Sequence, residues 1–114
     1  MDFGDALNAL ATKVERQWGN LETEEATKNA FIMPFISTVL GYDVFNPEEV
    51  IPEFTADVGI KKGEKIDYAV RNGGEIQILI ECKKSSQDLN LENASQLFRY
   101  FAVTSARVAI LTNG

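Results

Sequence analysis

The chain has 114 residues, 45% of them hydrophobic and 25% charged, which is the length and composition of one globular domain rather than of a disordered segment. It contains no histidine and a single cysteine, Cys82, so intramolecular disulfides, cysteine-rich zinc sites and catalysis by an imidazole are excluded. The formal net charge of −6 argues against a surface that coats nucleic acid, although it leaves room for a local basic patch and for acids that a cation neutralises.

Two helices are predicted in the first part of the chain. Over residues 5–18 the apolar positions recur at the three- and four-residue spacing of an amphipathic helix, and Gly19-Asn20 is typical of a helix end. Thr23 is typical of an N-cap, and a second helix is expected from there to about Leu40. Pro34 lies inside this second helix, where it should cause a kink or leave a carbonyl unpaired.

The second part of the chain has the pattern of short strands. Strands are predicted at residues 49–54, 65–71, 75–83 and 108–112, and a third helix at residues 91–102. Pro52 favours an edge position for the first of these strands. The order predicts a small α/β sandwich that forms a single domain over residues 1–114.

The sequence also bears on localisation. The N-terminal residues lack the basic and apolar regions of a signal peptide, and no apolar run approaches the roughly 20 residues that span a bilayer. We therefore expect a cytoplasmic protein that makes no membrane contact.

The turn Asn72-Gly73-Gly74 predicts a hairpin between the second and third strands, and the apolar pattern selects its register. A two-residue loop, Asn72-Gly73, would set apolar residues against polar ones along the whole ladder. A three-residue loop instead pairs Tyr68 with Ile78 and Ile66 with Ile80, which makes one face continuously apolar. We therefore expect the three-residue loop.

Three charged residues share the other face of this predicted hairpin. Asp67 is placed opposite Leu79 and one diagonal step, about 7–8 Å, from Glu81, so the two carboxylates can converge on one ion. Lys83 follows on the same face. Such carboxylates bind Mg²⁺, which acidifies a water, while a nearby lysine stabilises charge on a phosphate. The pattern indicates metal-dependent phosphodiester hydrolysis; the alternative is a solvated sheet edge with a weak ion pair.

Asp67 and the tripeptide Glu81-Cys82-Lys83 resemble the D…E-x-K core of the PD-(D/E)xK nuclease superfamily. One branch of it, the N-terminal nuclease domain of type I restriction enzyme R subunits, is similar to the stretches T-E-E-A-T-K, P-F-I-S-T-V-L-G-Y-D-V, E-V-I-P-E-F, K-I-D-Y-A-V, I-L-I-E-C-K-K, Q-L-F-R-Y-F and V-A-I-L-T-N-G. The resemblance covers about residues 22–114. It implies a restriction-endonuclease-like α/β core with a mixed central sheet flanked by helices. It also implies an endonuclease that hydrolyses DNA with Mg²⁺ (or Mn²⁺) as cofactor.

The resemblance implies a role for individual residues as well. The implied metal ligands are Asp67, Glu81 and the backbone carbonyl of Cys82. Lys83 is implied to position the attacking water or to stabilise charge. An acid on the second helix often completes the site in this superfamily. Glu24 matches its spacing and Glu25 is the alternative, while favourable charge at a helix N-terminus is the other role open to both.

Further candidates lie on the helices and after the third strand. Gln96 and Tyr100 are four residues apart on the third helix and match the Gln-x-x-x-Tyr of the superfamily. The resemblance implies that Gln96 orients the catalytic site and that Tyr100 contacts nucleic acid; the alternative is a surface glutamine and a core tyrosine. Candidate phosphate contacts are Lys28, Lys84 and Arg99, each with an ordinary solvated side chain as the alternative.

The sequence departs from the family pattern in several ways. Ile66 stands where a proline often precedes the aspartate, and no G-x-x-x-x-G-K-[ST] stretch for a translocating ATPase is present. The sequence ends directly after a strand where relatives continue, so we expect part of a longer protein, with partner subunits or a homo-oligomer formed through an exposed sheet edge. The alternatives are a catalytically inactive nuclease-fold module for nucleic-acid binding or protein assembly and a purely structural domain. The choice between DNA and RNA stays open.

Overall fold

The computed structural model describes residues 2–17, 19, 21–55, 65–83 and 88–113, and for residues 91–93 it describes the backbone alone. Three residues that carry predictions, Trp18, Asn20 and Lys84, lie outside the described residues. Within the described part of the chain, no helix is long and apolar enough to cross a membrane.

The first helix, α1 (Phe3–Gln17), begins earlier than its apolar spacing predicts. The reason is Asp2, whose Oδ1 accepts a hydrogen bond from the Asp5 backbone N–H at 2.8 Å. An aspartate that satisfies a free N–H of the first turn is an N-cap, and it adds a turn of helix ahead of the first buried residue, Ala6.

The second helical segment starts as an α-helical turn, Glu24–Thr27 (α2), and continues as two π-helical stretches, Lys28–Ile32 (π1) and Phe35–Val39 (π2). The predicted N-cap is confirmed, because Thr23 Oγ1 accepts the Ala26 N–H at 3.0 Å. The predicted extent is confirmed as well, but an apolar spacing does not reveal the wider π-helical turns.

Pro34 lies between the two π-helical stretches. It has no N–H to donate to the Ala30 carbonyl four residues earlier, which is the defect expected from a proline inside a helix. The Lys13 ammonium of α1 donates to that carbonyl at 2.6 Å. A side chain of the first helix therefore takes the place of the missing backbone donor and fixes the two helical segments to each other.

The remaining elements are strands β1 (Val50–Phe54), β2 (Ile66–Asn72) and β3 (Glu75–Cys82), helix α3 (Leu91–Val103) and strand β4 (Val108–Thr112). The strands form one sheet in the order β1-β2-β3-β4. β2 is antiparallel to both β1 and β3, and β4 runs parallel to β3 after the α3 connection. The predicted α/β fold with a mixed central sheet flanked by helices is confirmed, and so is the edge position of β1.

Each face of the sheet is covered by helices and forms its own core. The first core joins the helical segment 28–39 to the sheet and contains Phe31, Ile32, Ile36, Val50, Tyr68, Val70, Ile80 and Cys82. The second core joins α3 to the sheet and contains Ile66, Ala69, Leu79, Leu97, Tyr100 and Ala106. Because β2 and β3 contribute to both cores, they are buried on both faces and form the centre of the sheet.

The loop of the β2–β3 hairpin differs from the prediction. Asn72 pairs with Glu75, so the loop is the two-residue turn Gly73-Gly74 rather than the predicted three-residue turn. Both glycines have positive φ values, 63° and 86°, which a residue without a Cβ adopts at little cost. The two-residue loop that was the alternative, Asn72-Gly73, lies one residue earlier than the observed turn.

The predicted pairing along this hairpin is also wrong. A bulge between Val70 and Arg71 shifts the ladder, and beyond it Tyr68 pairs with Ile80 rather than with Ile78. A bulge adds one residue to one strand, which restores the apolar-to-apolar pairing that a regular ladder with this loop would lose.

The side chain of Ile66 lies on a different face from the one predicted. It was expected to share a face with Tyr68, but it packs in the second core against α3. Its partner on β1 is Phe54, which follows Glu53, a residue with φ of 49° that is skipped in the β1–β2 ladder. A left-handed residue turns the strand, and Phe54 also lies against the second core.

Candidate metal centre

The two candidate carboxylates meet at one end of the central strand pair. Asp67 lies at the start of β2 and Glu81 near the end of β3, and continuing the register from Tyr68 and Ile80 places them directly opposite each other. The Asp67 N–H donates to Glu81 Oε1 at 3.3 Å, and the Cys82 N–H donates to Asp67 Oδ2 at 2.7 Å. The structure thus brings the predicted pair together, although by a different register.

Both carboxyl groups are removed from water. Glu81 is 4% exposed and the Asp67 side chain is 13% exposed. Burial, the hydrogen bond to Asp67 and the negative charge of Asp67 raise the pKa of Glu81 to about 8. Two adjacent buried acids resist double ionisation, so a cation that binds both would relieve an unfavourable interaction.

Lys83 follows directly after β3, as predicted, and continues the pairing with β4 through its N–H, which donates to the Thr112 carbonyl at 2.8 Å. Its side chain is half-buried. The positive charge of Lys83 lowers the pKa of Glu81, against the larger effects of burial and Asp67 that raise it. The structure therefore gathers Asp67, Glu81 and Lys83 at one end of β2 and β3.

Cys82, between Glu81 and Lys83, has a fully buried side chain in the first core. Burial raises the pKa of its thiol to about 12, so the thiol stays protonated near neutral pH. Any contribution of Cys82 to a metal site would therefore come from its backbone carbonyl.

Lys28 of π1 has a position that sequence reasoning missed. It was predicted to contact phosphate, but its Nζ lies 2.8 Å from Asp67 Oδ1, and its side chain is 14% exposed. Burial lowers the pKa of Lys28, but the hydrogen bond and the charge of Asp67 outweigh it, and the pKa is raised above its ordinary value. The helical pattern predicts that Lys28 follows the acids of α2, but it does not reveal that this turn docks against the start of β2.

The two acids of the second helix, Glu24 and Glu25, differ in their exposure and in the groups that their charges affect. Glu25 is mostly exposed and lies 3.8 Å from the Lys28 ammonium. Glu24 is half-buried, and after burial and the charge of Asp67 its charge contributes to the raised pKa of Cys82. Among the described residues, no three histidine, cysteine, aspartate or glutamate side chains form a group able to hold a metal ion. A third carboxylate ligand from α2 stays a prediction.

Gln96 and Tyr100 of α3 have separate roles in the structure. Gln96 Nε2 donates to the Lys65 carbonyl at 2.7 Å, which ties α3 to the chain directly before β2. Tyr100 is fully buried and packs edge to face against Phe54, with ring centroids 6.0 Å apart. The expectation that the Tyr100 side chain contacts nucleic acid is therefore corrected, because the ring belongs to the second core. The sequence had left the core reading open.

Two further residues, Arg99 and Lys84, are candidate phosphate contacts. Arg99 is half-buried on α3, and its phosphate contact stays a prediction. Lys84 lies outside the described residues.

The donor atoms of the acidic pair suit a hard cation. Asp67 and Glu81 offer carboxylate oxygens, and Mg²⁺ and Mn²⁺ bind such oxygens, with water and substrate phosphate completing the coordination. Two carboxylates are enough for a Mg²⁺ site that a phosphate completes. The residues present therefore fit a divalent cation.

The fold and the site together define a class of protein. It is an α/β domain with helices on both faces of a mixed sheet, and two carboxylates and a lysine lie at one end of its central strands. Residues 23–114 match the model of the family described as the type I restriction enzyme R protein N terminus, and the chain belongs to this family. The match leaves out α1 and nearly coincides with the extent of the resemblance in the sequence. Comparison with curated proteins and with solved structures gives no significant match.

Proposed function

We propose that this domain is a Mg²⁺- or Mn²⁺-dependent endonuclease module of the PD-(D/E)xK type that hydrolyses DNA phosphodiester bonds. The observation that carries the proposal is the direct contact of Asp67 with Glu81 where β2 starts and β3 ends, with Lys83 directly after β3. Membership of the R-protein family supports DNA as the substrate and other restriction subunits as partners.

Each residue of the site has a defined task in this proposal. Asp67 and Glu81 hold the cation through carboxylate oxygens, with the Cys82 carbonyl as a further ligand. When bound, the cation acidifies a water and offsets negative charge on the phosphate. Burial and the contact with Asp67 raise the pKa of Glu81 to about 8, so Glu81 would give up a proton on binding the cation. The Lys83 ammonium orients the attacking water or stabilises the charge that develops on the phosphate.

Calorimetric titration of Mg²⁺ into the metal-free domain tests this function. Wild type is expected to bind the ion, and both Asp67→Asn and Glu81→Gln to lose binding. The matched control is Glu48→Gln, which neutralises an exposed acid outside the site and should bind as wild type does. Plasmid nicking by wild type, lost in Lys83→Ala, would then establish hydrolysis. A folded wild type that binds no Mg²⁺, with or without a duplex present, contradicts the proposal.

A second candidate function is a nuclease-fold module that binds nucleic acid or assembles with other subunits without hydrolysis. It is favoured by Lys28, which already neutralises Asp67 within the protein. The net charge of −6 favours assembly with other subunits over contact with nucleic acid. This function predicts Mg²⁺-independent binding to partners and no nicking at any metal concentration.

A further inference from the structure

Both oxygens of Asp67 already have partners within the chain. Oδ2 accepts the Cys82 N–H at 2.7 Å, and Oδ1 lies 2.8 Å from the Lys28 ammonium. The first contact is a backbone bond that fixes the carboxylate against β3. The second is made by a flexible side chain that carries a full positive charge, so Oδ1 is the oxygen whose partner can change.

The Lys28 ammonium and a divalent cation compete for this oxygen. Both are compact, strongly hydrated cations, and they repel each other at the few ångströms that separate two ions on one carboxylate. The pair is shielded from solvent, since the Lys28 and Asp67 side chains are 14% and 13% exposed, and salt therefore screens it weakly. A metal ion that reaches Asp67 must displace Lys28 or bind against its charge.

A phosphodiester group changes this balance. It is an anion that a lysine ammonium binds as a point charge, and it supplies oxygen ligands to Mg²⁺ at the same time. The four-carbon stem of Lys28 gives the ammonium other positions to occupy. Glu25, whose side chain is 73% exposed, lies 3.8 Å from Nζ, so a second anion is present on the solvent side of the ammonium.

We propose that Lys28 is a positioning residue that couples phosphodiester binding to divalent-cation binding: without nucleic acid it occupies Asp67, and a bound phosphate draws it away and leaves Asp67 to the cation. This inference rests on the proposed nuclease function and adds to it a reason for the site to bind its cation tightly only in the presence of substrate.

The test is Mg²⁺ titration of wild type, Lys28→Met and Lys28→Arg, each alone and with a short DNA duplex that is afterwards checked for integrity on a gel. Without duplex, Lys28→Met is expected to bind Mg²⁺ about fivefold more tightly than wild type or better, the lower end of common coupling strengths. The duplex should raise the Mg²⁺ affinity of Lys28→Met by a smaller factor than it raises that of wild type. The two factors should differ by the same fivefold or more. Lys28→Arg keeps the cation and should behave as wild type does. Lys65→Met, which removes an exposed lysine, should leave both affinities unchanged.

The possible failures are distinct. If wild type and Lys28→Met bind Mg²⁺ with equal affinity, or if Lys28→Met binds it more weakly, the coupling role is overturned while the nuclease function stands. If no variant binds Mg²⁺ in either condition, the coupling role and the nuclease function are both overturned.

A measurement without metal checks that Lys28 and Asp67 interact in solution. In EDTA, the urea midpoint of Lys28→Met should be lower than that of wild type, because an anion is left buried beside Glu81 without its cation. In an Asp67→Asn background the same substitution should lower the midpoint much less. Equal decreases in the two backgrounds would show that the pair is not formed, and this would overturn the proposal independently of any metal.

Discussion

Asp67 and Glu81 are chemically similar acids that contact each other but have different surroundings. Asp67 has a cation, Lys28, on one oxygen and the Cys82 N–H on the other, whereas Glu81 is buried against the negative charge of Asp67. The two carboxyl groups therefore differ in their environment, and burial together with the contact to Asp67 raises the pKa of Glu81 to about 8. This difference has a direct consequence for the stability of the metal-free protein.

Glu81 should make the metal-free domain less stable as the pH rises. Its pKa is about 8 in the folded state against 4.5 for an ordinary glutamate, so between these pH values the folded protein binds more protons than the unfolded one. The stabilising contribution is complete below pH 4.5 and is lost as the pH rises through 8, with a slope of at most about 1.4 kcal/mol per pH unit. Urea unfolding in EDTA at pH 5, 6.5 and 8 measures it.

Glu81→Gln removes the titrating group and should flatten this part of the pH profile, whereas Glu48→Gln should leave it unchanged. Saturating Mg²⁺ should flatten the wild-type profile as well, because the bound ion holds Glu81 ionised. An identical pH slope in wild type and Glu81→Gln would contradict the prediction.

Gln96 should contribute to the site through the backbone of β2. Its Nε2 donates to the Lys65 carbonyl two residues before Asp67, and Gln96→Glu keeps the size of the side chain but removes the donor. We expect a loss of about 1 kcal/mol in the free energy of unfolding and weaker Mg²⁺ binding. Urea unfolding and calorimetry measure these two effects. Wild-type affinity in a destabilised Gln96→Glu protein would show that the bond supports the fold but not the site.

The contact of Asp67 with Glu81 was predictable from the sequence even though the register was wrong. The predicted and observed ladders differ by two residues where Tyr68 meets Ile80, and a shift of two leaves the side chains of a strand on the same face, with Ile66 as the exception. The alternation therefore predicted that the two acids lie near each other, but not that they are direct partners. Lys28 was out of reach of such reasoning, because its contact depends on how a helix docks on the sheet.

At the scale of elements, the hairpin and the second helical segment both contain irregularities that the spacing of apolar residues does not predict. In the hairpin the Gly73-Gly74 turn and a bulge at Val70 and Arg71 compensate each other, and periodicity alone predicts neither. In residues 24–39 the apolar spacing is close enough for α- and π-helical turns alike. The bounds of regular elements follow from periodicity, as for β4, whereas local irregularities depend on tertiary contacts.

Lys13 should stabilise the second helical segment at its proline. Its ammonium donates to the Ala30 carbonyl at 2.6 Å, where Pro34 provides no N–H. Lys13→Met leaves that partly buried acceptor without this donor, and we expect a loss of about 1–3 kcal/mol in the free energy of unfolding. Urea unfolding of wild type and variant gives the value.

The Pro34→Ala background provides the control, because an alanine N–H can donate to the Ala30 carbonyl. There, Lys13→Met should cost clearly less than in wild type. Lys65→Met, which removes an exposed lysine, should cost little in either background. Equal costs of Lys13→Met in the two backgrounds would mean that Lys13 acts through packing rather than through this hydrogen bond.

For the whole molecule, the net negative charge limits how the domain could bind DNA. A protein with a net charge of −6 is repelled by a polyanion at a distance, and its attraction must come from local features. In this domain, part of the basic charge faces inward, since Lys28 and Lys13 are bound to internal acceptors. A divalent cation held by Asp67 and Glu81 would add positive charge at the point where the proposed function requires a phosphate to bind.

We therefore expect duplex binding to depend on the divalent cation. The dissociation constant for a short duplex should be about tenfold lower or more in Mg²⁺ than in EDTA, a difference of roughly 1.4 kcal/mol. Fluorescence anisotropy at fixed ionic strength measures it, with Asp67→Asn expected to bind weakly in both conditions and Glu48→Gln to follow wild type. Tight binding in EDTA that Asp67→Asn retains would place the DNA contacts outside the acidic site, as the non-catalytic function requires. Mg²⁺-dependent binding in wild type and Glu48→Gln that Asp67→Asn lacks would show that a cation held at the acidic site overcomes the repulsion due to the net negative charge of the domain.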